Sequence, residues 1–174
     1  GIEAGGHRGI FNEKFDSAIK TADLVKLITA NTRLPVVAAG GIMNGFQAQY
    51  LINLGAAAVQ FGTAFVQCKS SNANQAYRNA LLSKPITQIT TSISGRPARG
   101  IINDWAKLVD VAERPDVAAY PYAYDLGKQL NAAANKNNND EYGAFWAGSN
   151  VAQIRELEAT DLMNQLILEM NQYD

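Results

Sequence analysis

One stretch near the middle of the chain alternates apolar runs with glycine turns. Residues 35–39 (PVVAA) and 56–61 (AAAVQF) are short apolar runs, and residues 46–54 between them carry apolar positions at helical spacing. Each apolar run ends at a glycine turn, Gly40-Gly41 after the first and Gly62-Thr63 after the second. The pattern therefore predicts a βαβ unit with a glycine turn after each strand.

Glycine turns at strand ends have a chemical use. Because glycine carries no side chain, backbone N–H groups in such a turn can approach a phosphate closely. A helix that starts after the turn adds a favourable dipole for an anion. The stretch is therefore a candidate phosphate site, although the same glycines could simply turn each strand into the next helix.

The segments around this unit give weaker patterns. Residues 1–9 (GIEAGGHRG) carry four glycines and predict a loop, and residues 94–100 (SGRPARG) predict a second loop that bears two arginines. Thr21 is a candidate N-cap for a helix through about Ala30. The remaining predictions are a helix at 72–83, a strand at 86–93, a helix capped by Asn103 or Asp104, a helix at 121–134, a surface loop at 135–140, and helical segments at 151–157 and 162–170.

The order of these elements matches the second half of an alternating β/α pattern. Three strands are visible in the sequence, which is enough for a small open sheet. A barrel of eight strands cannot be closed by three.

Composition limits the functional classes. The chain has 174 residues, the size of one ordinary domain, and its net charge of −1 leaves no basic stripe for nucleic acid or a membrane surface. No apolar run approaches the roughly 20 residues of a membrane span. The single cysteine, Cys68, excludes an internal disulfide framework and suits a reducing compartment, so we expect a cytoplasmic location and no metal site.

The chain opens directly on the glycine-rich loop, with no element ahead of it to hold that loop. We expect that a piece of something longer precedes Gly1.

Four motifs in one order carry a resemblance to a known family. GIEAGGHRG, PVVAAGGIMNG, GAAAVQFGTAF and SGRPARGIIN resemble the nitronate monooxygenases, formerly called 2-nitropropane dioxygenases, which are FMN-dependent (β/α)8-barrel enzymes. The resemblance implies an α/β fold in which residues 1–108 form the C-terminal half of an FMN-binding TIM barrel, about strands 6–8. It implies that residues 109–174 form a helical region packed on that barrel, and that the first barrel strands are absent from this chain.

The resemblance also implies a cofactor site for FMN. Its expected contacts are Gly5 from the first loop, Gly41 after one strand, and Gln60, Phe61, Gly62 and Thr63 after the next. Thr63 would add a hydroxyl donor to the backbone donors around it.

His7 is the expected catalytic residue. Imidazole titrates near neutral pH, so it can accept or hold a proton. By resemblance, His7 would bind the negative nitro group of a nitronate and act as a base toward neutral nitroalkanes. Tyr120, Tyr124 and Lys128, spaced by four, would share a helix face and approach the substrate, although the same spacing also fits a packing stripe.

Four other charged residues are assigned no chemistry. Glu3 can pair with Arg8 or cap a helix, and Arg8 is expected to be structural or solvated. Arg96 and Arg99 could reach an anion, but a salt-bridged loop is favoured for both.

The resemblance implies oxidation of alkyl nitronates by oxygen to carbonyl compounds and nitrite, and it leaves open whether nitroalkanes are also substrates. One alternative is an FMN-dependent enoyl-ACP reductase, which would need sites for NAD(P)H and an acyl carrier. Another is a truncated, non-catalytic half-barrel. The expected partners are the small-molecule substrate, oxygen, and either the missing N-terminal half or a second copy of the chain.

Overall fold

The fold is α/β, as seen in a computed structural model that describes residues 1–10, 12–83 and 85–173. The strands are β1 (Gly6–His7), β2 (Val37–Ala39), β3 (Ala58–Gln60), β4 (Thr87–Thr90) and β5 (Ala98–Ile101). The helices are α1 (Thr21–Asn31), α2 (Gly45–Asn53), α3 (Gln75–Leu82), α4 (Asp104–Val109), α5 (Tyr122–Lys136) and α6 (Ala159–Asn171). Short 3-10 turns lie at Glu13–Phe15, Thr63–Phe65 and Val151–Gln153. Among these described residues, no helix is both long and apolar enough to cross a bilayer.

The predicted βαβ unit is confirmed. Strands β2 and β3 pair in parallel, with Val37 opposite Ala58 and Ala39 opposite Gln60, and α2 connects them. A core cluster binds the unit to α1 through these buried side chains: Val25, Ala38, Ile42, Ala48, Leu51 and Ala56. Burial of this apolar surface fixes the two strands, so their C-terminal ends lie side by side.

The three predicted strands do not form one sheet among the described residues. Strand β4 pairs antiparallel with β5, and β5 pairs antiparallel with β1, which makes a second sheet of order β1-β5-β4. The predictions of a loop at 1–9 and at 94–100 are therefore wrong for the residues in β1 and β5.

Strand β5 forms because neighbours distant in sequence satisfy its backbone. Ile101 donates its N–H to the carbonyl of Phe145 at 2.8 Å, and Gly100 forms an isolated bridge with Trp146. Arg99 lies between Gly6 on one side and Ile89 on the other. The composition of this segment gives no strand signal, since Gly and Pro are typical of turns.

Several helix ends differ from the sequence predictions. Thr21 is the first residue of α1 rather than its N-cap, and the carboxylate of Glu3 accepts the Thr21 N–H at 2.6 Å. Asn103 caps α4 as predicted, with its side chain accepting the N–H of Ala106 at 3.1 Å. The helix predicted at 151–157 is only the 3-10 turn Val151–Gln153, and α6 starts at Ala159, ahead of the segment 162–170 predicted for it.

Helix α6 packs on α2 through a buried polar contact. Glu169 accepts the N–H of Gly45 at 2.7 Å and pairs with Arg155 at 2.7 Å, and Arg155 also donates to the carbonyl of Met43 at 2.7 Å. Burial opposes ionisation of Glu169, but these donors together lower the pKa of its carboxyl. A Cβ at Gly45 would overlap the carbonyl oxygen of Leu166 and lie 2.6 Å from the Cβ of Glu169.

We expect Gly45→Ala to destabilise the fold by about 1–3 kcal/mol, the usual cost of overpacking. A loss of stability would be informative, because alanine is a better helix former than glycine by roughly 1 kcal/mol. Helix propensity alone therefore predicts a gain in stability. The measurement is the free energy of unfolding in urea.

Gly9→Ala is the matched control, because a Cβ at Gly9 meets no atom within 4 Å. Its change in stability should stay within about 0.5 kcal/mol. Equal stability of Gly45→Ala and the wild type would contradict the tight α2–α6 contact.

Candidate active site

A cavity of about 440 Å³ lies where β2 and β3 end. Its walls come from the two glycine turns, the first loop of the chain, α3 and the segment around Trp146. The lining residues are Ala4, Gly5, Ala39, Gly40, Gly41, Ile42, Met43, Gln60, Phe61, Gly62, Thr63, Val66, Tyr77, Trp146 and Gly148. All six residues predicted to contact a cofactor are among them. The volume falls in the range of roughly 300–1,000 Å³ that is typical of small-molecule sites.

The turn after β2 needs its glycines for the protein's own packing. Gly40 and Gly41 have φ angles of +119° and +72°, a region that residues with side chains rarely adopt. A Cβ at Gly41 would also lie 2.9 Å from the Cβ of Glu3. The carbonyls of the turn accept bonds from the hydroxyl of Thr21 at 2.9 Å and from the side-chain amide of Asn150 at 2.6 Å.

The turn after β3 has free space above it. A Cβ at Gly62 meets no atom within 4 Å, so a side chain there would occupy the open space beside the turn. Thr63 accepts the N–H of Gly148 at 3.0 Å, which leaves its own O–H proton available to another acceptor. The backbone N–H groups of Gly41, Gly62 and Thr63 donate to no acceptor within residues 1–10, 12–83 and 85–173.

The first loop lies against the segment after Trp146. A Cβ at Gly5 would lie 2.7 Å from the carbonyl carbon of Ala147, and Ser149 donates its N–H to the carbonyl of Glu3 at 3.0 Å. This close approach brings the backbone at Gly5 and the ring of Trp146 to the same cavity.

His7 lies beside this cavity rather than in its wall. Its ring centroid is 5.4 Å from that of Trp146, which lines the cavity, and its Nε2 lies 2.9 Å from the buried hydroxyl of Ser94. Partial desolvation and the nearby charge of Arg96 lower the pKa of the His7 imidazole. The ring is therefore neutral near pH 7 and able to accept a proton.

Two tyrosines surround the other sides of His7. The rings of Tyr120 and Tyr124 approach it edge-on, with centroids at 5.5 and 5.8 Å. Lys128 stands 4.5 Å from the centroid of Tyr124. The predicted common helix is wrong in one respect, since α5 begins at Tyr122 and Tyr120 precedes it.

Gly95 lets Tyr120 come close to His7. Its φ is +79°, and a Cβ there would overlap the carbonyl oxygen of Ala118.

Beyond the tyrosines, a second cavity of about 420 Å³ is lined by Tyr124 and Lys128 and shares Tyr77 with the first cavity.

The arginines of the two motif loops, Arg8, Arg96 and Arg99, donate mainly to backbone carbonyls or to a single carboxylate. Arg8 pairs with Asp16 at 2.8 Å, consistent with a structural role. Arg96 donates to the carbonyl of Ile10, and Arg99 donates to the carbonyl of Ile2 at 2.9 Å. Within residues 1–10, 12–83 and 85–173, the expected salt bridges of Arg96 and Arg99 are not seen, and both side chains donate to carbonyl groups instead. In the part of the chain that the structure describes, no group of His, Cys, Asp and Glu side chains could hold a metal ion.

The sequence model of the nitronate monooxygenase family matches residues 1–169. The chain belongs to the nitronate monooxygenase family. It is 46% identical over 175 residues to a nitronate monooxygenase of Paraburkholderia phytofirmans and 47% identical over 173 residues to one of Pseudomonas aeruginosa. These alignments cover 99% and 98% of the chain but 48% and 49% of the two relatives. The chain thus spans about half the length of these relatives.

Solved structures give a consistent result. A nitroalkane oxidase from Streptomyces ansochromogenes superposes with a TM-score of 0.90 at 34% identity, covering 99% of this chain and 50% of that one. FabK from Thermotoga maritima superposes with a TM-score of 0.77 at 27% identity, covering 99% and 53%.

The motifs that place this chain in the nitronate monooxygenase family did not identify every residue at the site. Sequence reasoning assigned no role to Ser94, to Tyr77, or to Ile42 and Met43 in the cavity wall, and it left Trp146 without one. The aromatic residues Phe145 and Trp146 between two glycines are a sequence signal that could have indicated a role for Trp146. Ser94 begins the motif SGRPARGIIN, but its contact with His7 had no signal, because the two residues are 87 positions apart in the sequence.

The Arg8–Asp16 pair predicts a pH effect. Two guanidinium hydrogen bonds from Arg8 and the N–H of Ala18 lower the pKa of Asp16 from 3.8 to about 2. Because the pKa of Asp16 is lower in the folded protein than in the unfolded chain, the ionised carboxylate stabilises the fold. This contribution to stability is complete above about pH 4 and disappears as the pH falls toward 2. Carboxyl ¹³C NMR should show Asp16 titrating near 2.

Arg8→Lys is the control for this titration. Lysine keeps the positive charge but cannot form the two parallel bonds, so the pKa of Asp16 should rise toward its ordinary value. A wild-type Asp16 that titrates near 3.8 would contradict the pairing.

Proposed function

We propose that this chain forms the cofactor-binding part of an FMN-dependent nitronate monooxygenase. The observation that carries the proposal is the convergence of Gly5, Gly41 and the segment 60–63 on one cavity at the ends of two parallel strands. In α/β folds such strand ends are the usual position of ligand sites.

The cavity offers donors for a phosphate. The N–H groups of Gly41, Gly62 and Thr63 have no partner within the described residues, and the Thr63 hydroxyl keeps a proton to donate. The open space at Gly62 gives an oxygen access to these donors. None of the described residues that line this cavity is Lys or Arg, so backbone dipoles would hold the anion.

The same cavity has apolar walls that suit a flat ring. Ile42, Met43, Phe61, Val66 and Trp146 supply them. Of these side chains, Trp146 also contacts His7, with 5.4 Å between the two ring centroids. FMN, when bound, supplies the redox chemistry that converts an alkyl nitronate and oxygen into a carbonyl compound and nitrite.

His7 would handle the substrate's charge and proton. In its neutral form it can remove the proton next to the nitro group of a nitroalkane, and in its protonated form it can bind the negative nitro group of a nitronate. Tyr120, Tyr124 and Lys128 would bound the substrate on the side away from Trp146.

In this proposal residues 1–108 form the C-terminal half of a (β/α)8 barrel and residues 109–174 a helical region packed on it. The missing strands would come from a longer parent protein or from a second chain. The likeness to FabK keeps enoyl reduction as a second candidate, but its TM-score and identity are both below those of the nitroalkane oxidase.

We expect the chain to bind FMN, and Gly62→Ala to weaken binding about tenfold or more by placing a methyl group in the space beside the free donors. The measurement is quenching of flavin fluorescence on titration with protein. Gly9→Ala is the matched control, because its added methyl group also meets no atom within 4 Å but lies outside the cavity lining.

Equal affinities of the two variants would remove Gly62 from the site. A wild-type chain that leaves FMN fluorescence unchanged at high micromolar concentration would overturn cofactor binding by this chain alone.

We expect His7→Asn to reduce nitrite release from a nitroalkane by about 10²–10⁴-fold, the usual contribution of a general base. The assay is nitrite formation and oxygen uptake by flavin-loaded protein, with nitronate and nitroalkane tested separately. FMN affinity should be unchanged, because His7 does not line the cavity. Unchanged turnover with both substrates would exclude His7 from the reaction.

A further inference from the structure

The hydroxyl of Ser94 has three polar neighbours and can satisfy all of them in only one way. Its Oγ lies 2.9 Å from Nε2 of His7, 3.1 Å from the carbonyl oxygen of Arg96 and 3.3 Å from the N–H of Arg96. A serine hydroxyl has one proton and two lone pairs. The Arg96 carbonyl can only accept and the Arg96 N–H can only donate, so the remaining lone pair of Ser94 faces His7.

We propose that Ser94 is a positioning residue that holds neutral His7 as the Nε2–H tautomer, so that Nδ1 is the ring nitrogen offered to the substrate. Ser94 donates to the Arg96 carbonyl and accepts from Nε2–H of His7. The opposite arrangement, with Ser94 donating to His7, leaves the Arg96 carbonyl without its bond. That arrangement is disfavoured because it gives up one hydrogen bond beside a fully buried side chain, where an unmade bond is costly.

This arrangement also fits proton uptake. Protonated histidine carries N–H groups on both ring nitrogens, so its Nε2–H keeps the same bond to Ser94. His7 can therefore accept a proton at Nδ1 with no rearrangement of Ser94 or Arg96. Nδ1 has no hydrogen-bond partner among residues 1–10, 12–83 and 85–173.

The consequence for chemistry rests on the proposed function. A neutral His7 turns a lone pair, not a donor, toward the substrate, and this favours removal of a proton from a neutral nitroalkane. In that step the carbon–hydrogen bond breaks, its proton goes to Nδ1, and the electron pair stays on the resulting nitronate. The charged and titratable groups around the ring are Arg96 on one side and Tyr120, Tyr124 and Lys128 on the other.

The test is ¹⁵N NMR of the wild-type chain labelled at histidine. His7 is the single histidine in the sequence, so two ring-nitrogen signals are expected, and His7→Gln identifies them by their loss. At a pH above the imidazole pKa we expect a protonated Nε2 and an unprotonated Nδ1. A protonated Nδ1 as the main neutral species overturns the proposal.

Ser94→Ala should shift the ratio of the two tautomers by about five- to tenfold toward Nδ1–H, the effect of losing one hydrogen bond. Ser92→Ala is the matched control: Ser92 is also buried, but its hydroxyl bonds Asp110 and Arg114 rather than His7. The ratio should not change in that variant. An unchanged ratio in Ser94→Ala overturns the role of Ser94, and the wild-type spectrum decides the tautomer even where Ser94→Ala does not fold.

The NMR readout needs neither flavin nor substrate. A correct tautomer in a protein that does not release nitrite would leave Ser94 in its role and reject the proposed function. A wrong tautomer in a protein that does release nitrite would do the reverse.

Discussion

The site depends on a close meeting of three backbone segments around Glu3. The carbonyl of Glu3 accepts the N–H of Ser149, its carboxylate accepts the N–H of Thr21, and its Cβ lies against the space that a Cβ at Gly41 would need. Gly148, in the same cluster, donates to Thr63 on the other glycine turn. The first loop, the two strand ends and the segment after Trp146 are thus held together by hydrogen bonds and close contacts that leave no room for a Cβ at the glycine positions between them. This arrangement requires glycine at positions 5, 41 and 148, because a Cβ there would be too close to neighbouring atoms.

This constraint separates the glycines of the motifs into two groups. Gly5 and Gly41 are required by packing or by a positive φ, so the fold alone explains them. Gly62 is different, because nothing in the protein occupies the space beside it. All three glycines line the cavity. Gly62 is the strongest indication of a bound ligand, because the fold itself does not require a glycine there, whereas Gly5 and Gly41 are weak indications.

The sequence predicted the parts of the fold that depend on local pattern. The βαβ unit follows from two apolar runs and a helical period, and the Asn103 cap follows from a short polar side chain before a helix. The sequence could not predict β1 and β5, because the pairing of Gly6 with Arg99 and of His7 with Ala98 joins distant parts of the chain, and the glycine-rich composition of both segments is typical of turns. The same limit applies to the site: the cavity-lining glycines stand in recognisable motifs, whereas the bond between His7 and Ser94 joins positions 87 residues apart.

His7 lies beside the proposed cofactor cavity rather than in its wall, which is compatible with the proposed role of its imidazole. Trp146 lines that cavity and contacts the His7 ring, while Tyr124 contacts the same ring and lines the second cavity. His7 therefore lies where the two spaces approach each other, on a two-residue strand held by the antiparallel pairing with Arg99 and Ala98. In the proposed reaction, a small substrate would meet His7 at this boundary. The second sheet, which the sequence pattern did not reveal, is thus the element that carries the imidazole beside the first cavity.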